Sequence, residues 1–306
     1  MNFVTILCSK GRPIVLDETV VSILKQDSLP SKILLVVTCN ADFLESTLLR
    51  DERVMASISP VAGLTAQRNY GISCIQNQNV EITIFLDDDV ELEISFFTKM
   101  LYLFSKYPDI IGISAESVIG GASADRSYAK KVINDLNTVP MDRLKVRDSG
   151  KYCLCHGCNM FFRTSLFGEE LFDEELPLYS YGEDYDFSLR ASRHGKVGKV
   201  SGIGFAHLTY PGGRVSEKKR GYSIVANNYY FLKKRVQHVT IFLGYIRFWL
   251  VIVFKETFSV GIKSITLNKN YHRTYRDHFF GRCLAVFDVI RGNSSPNKIL
   301  KDQRFD

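Results

Sequence analysis

The fold of this 306-residue chain is decided by the stretch ITIFLDDD, residues 82–89. Its first five residues are apolar or β-branched without polar alternation, which is typical of a strand buried on both faces of a parallel sheet. The carboxylates that follow, Asp87, Asp88 and Asp89, repel one another by roughly 1 kcal/mol for each close pair. Either a cation neutralises them, for which Mg²⁺ or Mn²⁺ suits oxygen ligands at a strand end, or they form an exposed acidic turn.

The segments before this stretch alternate between strand and helix patterns. Short apolar runs predict strands at residues 3–8, 32–38 and 54–59, and apolar residues at helical spacing predict helices at 15–26 and 65–76. Strands that alternate with helices across short loops form a doubly wound α/β sheet. Ligands of such sheets bind beyond the carboxyl ends of the strands, which is where the acidic triplet lies.

The segments after the triplet are less regular. The polar stretch at residues 120–150 predicts loops that admit an acceptor, whereas residues 182–194 predict a helix. That helix opens with Glu183 and Asp184. The two carboxylates either cap the amides of the helix N-terminus, or one of them faces a cleft and acts as a general base toward an attacking hydroxyl.

Charge is distributed unevenly along the chain. The net charge is +6, but residues from 209 onward hold 18 Lys and Arg against 6 Asp and Glu, while the remainder holds 21 against 27. A basic tail attracts nucleic acid, phosphorylated ligands or an anionic bilayer surface, unless it is simply a solvated face. No recognised nucleic-acid motif accompanies the tail, so we expect no nucleic-acid partner.

Residues 239–254 are almost all apolar but are interrupted by Gly244 and Arg247. Sixteen residues with an internal charge are too short to span a bilayer comfortably. As a helix, they carry an apolar stripe that includes Phe248 and Val253, with Arg247 and Lys255 opposite. We expect this amphipathic helix either to pack on the core or to lie on a membrane surface.

The cysteines and the N-terminus indicate the cellular compartment in which we expect the protein. Seven cysteines, scattered through apolar segments, suit reduced thiols in a cytosolic protein. The run CLCHGC at residues 153–158 suggests zinc, but its spacing lacks the usual paired ligands. Residue 3 enters a strand at once, without a basic region or a cleavage site, so we expect no secretory signal.

Five segments occur in a familiar order: CSKGRP at 8–13, AGLTAQRNYGI at 62–72, FLDDD at 85–89, GCNMFFR at 157–163 and GEDYDFSLR at 182–190. Together they resemble family-two glycosyltransferases of the GT-A fold, such as those of bacterial polysaccharide or lipopolysaccharide synthesis. The resemblance implies a Rossmann-like, mixed but mostly parallel sheet flanked by helices. We expect a catalytic domain at residues 1–235 and a helical, basic extension at residues 236–306.

The resemblance also implies roles for individual residues. Asp184 corresponds to the catalytic base, and Glu183, Gly157 and Asn159 correspond to contacts with the sugar or the acceptor. The expected metal ligands are Asp87, Asp89 and His207, although a core or surface histidine is the alternative for the last. The expected nucleotide contacts are Ser9, Arg12, Asn40, Asp42, Arg68, Asp87 and Asp88.

Two details of this correspondence are open. The family often has an acidic residue with Gly-Ser after the second strand, where this chain has VTCNAD at residues 37–42, so Asn40 and Asp42 are alternatives for the base or ribose contact. Arg214, Lys218, Lys219 and Arg220 are expected to form a basic loop that closes over a diphosphate, or else a solvated loop.

The sequence therefore predicts an inverting glycosyltransferase that moves a sugar from a nucleotide-sugar donor to a hydroxyl of a glycan or lipid-linked glycan by metal-assisted single displacement. We expect it in the cytoplasm, peripheral at the inner face of the membrane. A nucleotidyltransferase is one alternative, but SKGRP at residues 9–13 is a poor substitute for the Gly-rich loop of that class. A non-catalytic glycan- or lipid-binding module is another, against which the retention of Asp87, Asp89 and Asp184 argues.

Overall fold

The computed structural model describes most of the chain. It covers residues 1–76, 78–119, 125–136, 139–147, 154–210, 212–213, 215–234, 246–266 and 269–305, with the backbone alone at 264–266 and 269–272. The chain divides into two compact units. The first comprises Met1–Ala62, Ala66–Phe172 and Phe187–Gly213; the second comprises Gly63–Thr65, Asp173–Asp186 and Arg214–Asp306.

The first unit contains an eight-stranded sheet in the order β3-β2-β1-β4-β8-β6-β9-β7, and a separate antiparallel pair, β5 and β10. Strands β1 to β4 are parallel to one another, as are β6 and β9, whereas β8 is antiparallel to both β4 and β6. The predicted mixed, mostly parallel sheet is confirmed. The strands are β1 Phe3–Cys8, β2 Lys32–Val37, β3 Val54–Ile58, β4 Ile82–Asp87, β5 Val90–Leu92, β6 Ile110–Ala115, β7 Val146–Arg147, β8 Asn159–Arg163, β9 Lys196–Val200 and β10 Phe205–His207.

Helices flank this sheet and make up most of the described part of the second unit. The α-helices are α1 Pro13–Leu24, α2 Glu45–Leu48, α3 Leu64–Ser73, α4 Phe96–Lys106, α5 Arg126–Asp135, α6 Glu183–Ala191, α7 Glu217–Lys234, α8 Thr257–Thr266, α9 Lys269–Ile290 and α10 Lys298–Lys301. A π-helical segment, Phe248–Glu256, precedes α8. Short 3₁₀ turns occur at Asn40–Asp42, Met141–Arg143, Thr164–Gly168 and Gln303–Phe305.

Strand β4 is buried on both faces, as its continuous apolar run predicts. Ile82, Ile84 and Leu86 belong to one core cluster, and Phe85 belongs to the cluster on the other face. The Phe85 ring contacts Phe172 with the two centroids 5.2 Å apart. Packing on both faces positions the carboxyl end of β4, which leads into the acidic triplet.

The loops expected at residues 120–150 are wrong for much of the described part. Helix α5 lies there because Asp125 caps its N-terminus, accepting a hydrogen bond from the Tyr128 amide at 3.0 Å. Ala129 and Ile133, one turn apart, are buried against Leu208. Residues 120–124, 137–138 and 148–150 lie outside the described residues.

Helices α7 and α9 of the second unit touch backbone to backbone. A Cβ atom added to Gly221 would lie 2.1 Å from the carbonyl oxygen of His278, and one added to Gly281 would lie 2.0 Å from that of Lys218. Only glycine permits such an approach. Tyr222 of α7 then packs in an apolar cluster with residues of α9.

A buried carboxylate, Asp288, ties the chain end to this helix pair. It accepts hydrogen bonds from Tyr222 Oη at 2.9 Å and from Arg304 at 2.8 Å, and Lys298 Nζ lies at 3.0 Å. Burial acts to raise the pKa of Asp288, but the hydrogen bonds from Arg304, Lys298 and Tyr222 lower it overall. The chain itself therefore neutralises this carboxylate.

The apolar segment expected at residues 239–254 is described from residue 246 onward. Phe248 and Val253 are buried in the core of the second unit, so the predicted stripe packs on the core there. The expected polar outer face is only partly correct, since Leu250 and Phe254 are exposed beside Arg247 and Lys255. In the described part of the chain, every helix is too short or too polar to cross a membrane.

Candidate functional site

The site lies at the carboxyl end of β4. The side chain of Thr19 in α1 donates a hydrogen bond of 2.6 Å to the Asp88 carbonyl and so holds the turn that leads into β5. Strand β5 pairs with β10 in the register His207↔Val90, and the Leu208 amide donates to the Asp89 carbonyl at 2.8 Å. This pairing brings His207 to the acidic triplet across almost 120 residues of sequence.

Asp87, Asp89 and His207 form a cluster in which one ligand atom from each lies within 4.8 Å of the others. His207 Nε2 lies 3.1 Å from Asp89 Oδ1 and 3.4 Å from Asp87 Oδ2. Burial raises the pKa of Asp87. Burial also acts to raise the pKa of Asp89, but the hydrogen bond and charge of His207 and the charge of Arg12 lower it overall. Two carboxylates and an imidazole fit a divalent ion such as Mg²⁺ or Mn²⁺.

Asp88, the middle carboxylate, is fully buried and turned toward the loop after β1. It accepts hydrogen bonds from Ser9 Oγ and from Arg12, whose Nε lies 3.2 Å away. Arg12 also reaches Asp89 at 3.1 Å and donates to the Tyr210 carbonyl at 3.3 Å. Burial raises the pKa of the Asp88 carboxyl to about 7. The structure thus joins Ser9, Arg12 and Asp88 into one network beside the metal cluster.

Arg68 lies on the other side of the triplet. Its guanidinium is buried, lies 5.1 Å from the centroid of the Phe172 ring, and is 3.8 Å from an Asp87 oxygen. It donates a hydrogen bond of 2.8 Å to the carbonyl of Gly157. Arg68 therefore connects the turn before β8 to the acidic triplet.

Asn159 is at the start of β8 with its side chain fully buried. Its amide group accepts from the Ala115 nitrogen at 2.6 Å and donates to the Ala115 oxygen at 3.1 Å. These hydrogen bonds link β8 to β6. The side-chain amide is thus used by a neighbouring strand, while the role expected for Asn159 at the sugar stays a prediction.

The alternatives at residues 37–42 differ in their surroundings. Asp42 accepts hydrogen bonds from the Gly11 amide at 2.7 Å and from the Thr38 hydroxyl at 2.6 Å, which clamps the loops after β1 and β2 together. Burial acts to raise the pKa of Asp42, but hydrogen bonds from Thr38, Gly11 and Cys39 lower it overall. Asn40, in the same 3₁₀ turn, is exposed.

Glu183 and Asp184 lie in the first turn of α6, within the second unit. Glu183 is buried and Asp184 is half-buried. Asp186, in the same turn, is buried and lies 3.1 Å from Lys234 Nζ at the end of α7. This ion pair fixes the turn that carries the expected base.

The prediction of a basic loop at residues 214–220 is wrong for the part that the structure describes. Lys218, Lys219 and Arg220 lie in the first turn of α7, because the Ser216 hydroxyl accepts a hydrogen bond from the Lys219 amide at 3.3 Å and caps the helix. Arg214 lies outside the described residues. In the run at 153–158, Cys153 also lies outside them, and the Cys155 amide donates to Ser188 Oγ at 3.0 Å.

Sequence reasoning missed Thr19 and Lys234. Thr19 is an isolated hydroxyl inside a helix, and a local pattern does not show that it faces the carbonyl of Asp88. The Lys234–Asp186 ion pair joins residues 48 positions apart. The basic residues that end α7 are its only sequence signal, and they are equally typical of an exposed helix C-terminus.

A protein-family model and several solved structures are similar to this chain. The model of glycosyl transferase family 2 matches residues 5–171, more than half of the chain. A search of curated proteins finds no match. Similar solved structures include residues 1–349 of S. aureus TarS, at 14% identity over 96% of this chain and 83% of that chain, with a TM-score of 0.51.

The same TarS fragment in complex with UDP-GlcNAc gives a TM-score of 0.54 at 14% identity, over 96% of this chain and 84% of that chain. The mannosyltransferase PcManGT from Pyrobaculum calidifontis, in complex with GDP-Man and Mn²⁺, gives 0.58 at 10% identity, over 94% and 87%. At these identities the likeness establishes the fold.

Proposed function

The chain belongs to glycosyl transferase family 2 and is a glycosyltransferase, and on that premise we propose an inverting, metal-assisted transfer from a nucleotide-sugar donor to a hydroxyl of a glycan or lipid-linked glycan. The observation that carries the proposal is the cluster of Asp87, Asp89 and His207, whose ligand atoms lie within 4.8 Å of one another. Asp87, Asp89 and His207 would hold a divalent ion, Mg²⁺ or Mn²⁺, which would supply Lewis-acid neutralisation of the leaving diphosphate. The complex of PcManGT with GDP-Man and Mn²⁺ supports this assignment by analogy.

The proposed nucleotide contacts surround this cluster. Arg12 and Arg68 bring cations to its two sides, and both are held by the protein, Arg12 through Asp88 and Arg68 through Gly157. Ser9, Asn40, Asp42 and Asp87 complete the proposed set. In it, Asp88 and Asp42 act by positioning, since their carboxylates are occupied by hydrogen bonds from Ser9 and Arg12 and from Gly11 and Thr38.

The proposed base is Asp184. An acceptor hydroxyl has a high pKa, so a carboxylate within hydrogen-bond reach assists by taking its proton during attack. The bond from the acceptor oxygen to the anomeric carbon forms while the bond from that carbon to the phosphate oxygen breaks. One displacement from the opposite face inverts the configuration. Glu183, Gly157 and Asn159 are proposed to line the sugar and acceptor positions.

The place of the reaction is also part of the proposal. We assign the enzyme to the cytoplasm, in peripheral contact with the anionic inner face of the cytoplasmic membrane, where a lipid-linked acceptor is available. In this arrangement residues 1–235 form the catalytic domain, and residues 236–306 form the extension that touches the membrane. The excess of basic residues after position 209 supports it.

Donor binding is tested by thermal shift with UDP-, GDP-, dTDP- and CMP-sugars, with and without Mn²⁺. We expect a metal-dependent rise in melting temperature for one nucleotide, which Asp89→Ala abolishes. Asp109→Ala is the matched control, because that carboxylate is exposed and paired with Lys196. If no nucleotide-sugar shifts the wild type, the metal-and-donor proposal fails and a non-catalytic module becomes the better description.

The stereochemistry is tested by NMR of the anomeric proton of the product, which should show inversion. Asp184→Asn should lower kcat by about 10²- to 10⁴-fold, the range for loss of a general base, while the donor-induced thermal shift is kept. A product that retains the donor's configuration would overturn the single displacement.

A further inference from the structure

An exposed apolar ridge runs along the second unit. It consists of residues whose side chains are 39–71% exposed, namely Ile246, Leu250, Phe254, Phe258 and Ile262. They recur at every fourth residue, through the π-helical segment and α8. An α-helix turns once in 3.6 residues, and a π-helix, bonded from i to i+5, takes more than four. Residues spaced by four therefore rotate one way around the helix axis in the π-helical segment and the other way in α8. The two rotations offset each other, so the five side chains lie on one side of the segment.

The opposite side of the same segment is fixed in the core. Phe248 and Val253 are buried, and Trp249 and Ile252 pack against the same cluster. Arg282, almost fully buried, donates a hydrogen bond of 2.7 Å to the Ile252 carbonyl, which also accepts one from the Thr257 hydroxyl at 3.2 Å. The segment is therefore anchored, and its outward orientation is part of the fold.

Cations follow the ridge. Arg247, Lys255 and Lys263 come directly after three of its members, and all three side chains are exposed. None of them forms an ion pair with a described residue. Between positions 246 and 263 the sequence holds one acidic residue, Glu256, and it is paired with Arg282 at 3.0 Å. The surface is apolar along its crest and positively charged beside it.

We propose that this ridge docks on an anionic lipid bilayer. The apolar side chains enter the boundary between headgroups and acyl chains, and the three cations meet the lipid phosphates. A second copy of the chain fits less well, because a twofold contact would bring Arg247, Lys255 and Lys263 against the same cations. The inference rests on the proposed function for its partner, and it names the surface that makes the contact.

The test is flotation of the full chain with vesicles of phosphatidylcholine alone or mixed equally with phosphatidylglycerol. We expect the wild type to float with the anionic vesicles at low salt. The variant Leu250→Ser/Phe254→Ser/Phe258→Ser should bind at least about tenfold more weakly. The matched control, Leu49→Ser/Ile94→Ser/Leu171→Ser, removes three apolar side chains that are exposed in the first unit and should float like the wild type.

A charge variant tests the other half of the proposal. Arg247→Gln, Lys255→Gln and Lys263→Gln should each weaken binding by about fivefold at low salt, and less at high salt. Three outcomes overturn the proposal. They are a wild type that stays in the soluble fraction, a ridge variant that floats as well as the wild type, and a wild-type dimer that the ridge variant converts to monomer, which would make a second copy the occupant.

The donor thermal shift, run on the same proteins, separates this inference from the proposed function. The ridge variant should have the melting temperature of the wild type and the same donor-induced rise. Both results would show that the variant folds. A donor shift without flotation overturns the membrane contact alone. Flotation without a donor shift overturns the metal-and-donor proposal and leaves the membrane contact standing.

Discussion

Asp88 and Asp288 are both buried carboxylates, but their surroundings are opposite. Asp288 is one carboxylate facing two cations and a hydroxyl. Asp88 is one of three adjacent carboxylates, with Arg12 as its cation, and burial raises its pKa to about 7, whereas the pKa of Asp288 is lowered. The chain neutralises the second region by itself and leaves the first short of positive charge.

The difference separates a cluster built for stability from one built for a ligand. Removing a carboxylate from a neutralised cluster leaves cations without a partner, which costs stability. Removing a carboxylate from a crowded acidic cluster relieves repulsion, so it should impair ligand binding and activity without lowering stability. The substitutions Asp87→Asn and Asp288→Asn should therefore change stability in opposite directions.

The largest expected effect is that of Asp87→Asn on activity. Loss of a metal ligand removes several kcal/mol of transition-state stabilisation, so kcat/KM should fall about a thousandfold, or roughly 4 kcal/mol. Without metal, the melting temperature should not fall, because burial raises the pKa of Asp87 and the substitution removes an unfavourable, half-buried charge. Steady-state kinetics and calorimetry in EDTA measure both, with Asp109→Asn as the control. A large drop in melting temperature would place the acidic triplet in the same class as Asp288.

Arg12→Met changes the positive charge of the first region, where the previous variant changes a negative one. It removes the cation that touches both Asp88 and Asp89, so the free energy of unfolding should fall by about 3 kcal/mol. Mn²⁺ should restore part of this loss, as measured by urea unfolding with and without the ion. Arg50→Met, which breaks a more exposed pair with Asp17, should cost about 1 kcal/mol or less and show no rescue. Equal rescue of both variants would argue against a specific metal site.

Asp288→Asn should destabilise the protein by about 2 kcal/mol, since Arg304 and Lys298 lose their shared partner but stay partly solvated. Mn²⁺ should not change this value. Asp302→Asn is the control, because Asp302 contacts Arg304 near the surface and should matter less. If the two variants unfold at the same urea concentration, the buried cluster around Asp288 adds no more to the free energy of unfolding than the surface pair of Asp302 and Arg304.

The smallest expected effect is in the acid range. The side-chain hydrogen bond from Arg304 lowers the pKa of Asp302 to about 2, below its unfolded value near 4. The stability it contributes is therefore fully present above about pH 4 and is lost as the pH falls toward 2. Melting curves of the wild type and Asp302→Asn should converge over that interval, whereas parallel curves would show that the shift is absent.

The sheet was predictable because its signal is local. Strand β4 was expected at residues 81–86 and spans Ile82–Asp87, since a continuous apolar run needs no distant information. Helix α5 was missed because only two apolar positions face the core in a polar stretch. Its Arg126 pairs with Glu91 and Glu18, which lie far away in sequence.

The site was predictable in composition but not in arrangement. Residue types and the family resemblance named Asp87, Asp89 and His207, yet their meeting depends on the pairing of β5 with β10, two three-residue strands without a clear pattern. Local sequence also does not distinguish Asp42, whose carboxylate accepts hydrogen bonds from Gly11 and Thr38, from the exposed Asn40.

The close contact of α7 and α9 sets a condition on biosynthesis. Gly281 is translated 47 residues after Lys234, the end of α7, which takes roughly two to ten seconds at ordinary ribosomal speeds. During that interval the apolar face of α7 has no partner from α9. A nascent chain stalled before α9 would present that face to chaperones and proteases, so premature termination should yield rapid degradation rather than a shortened, active enzyme.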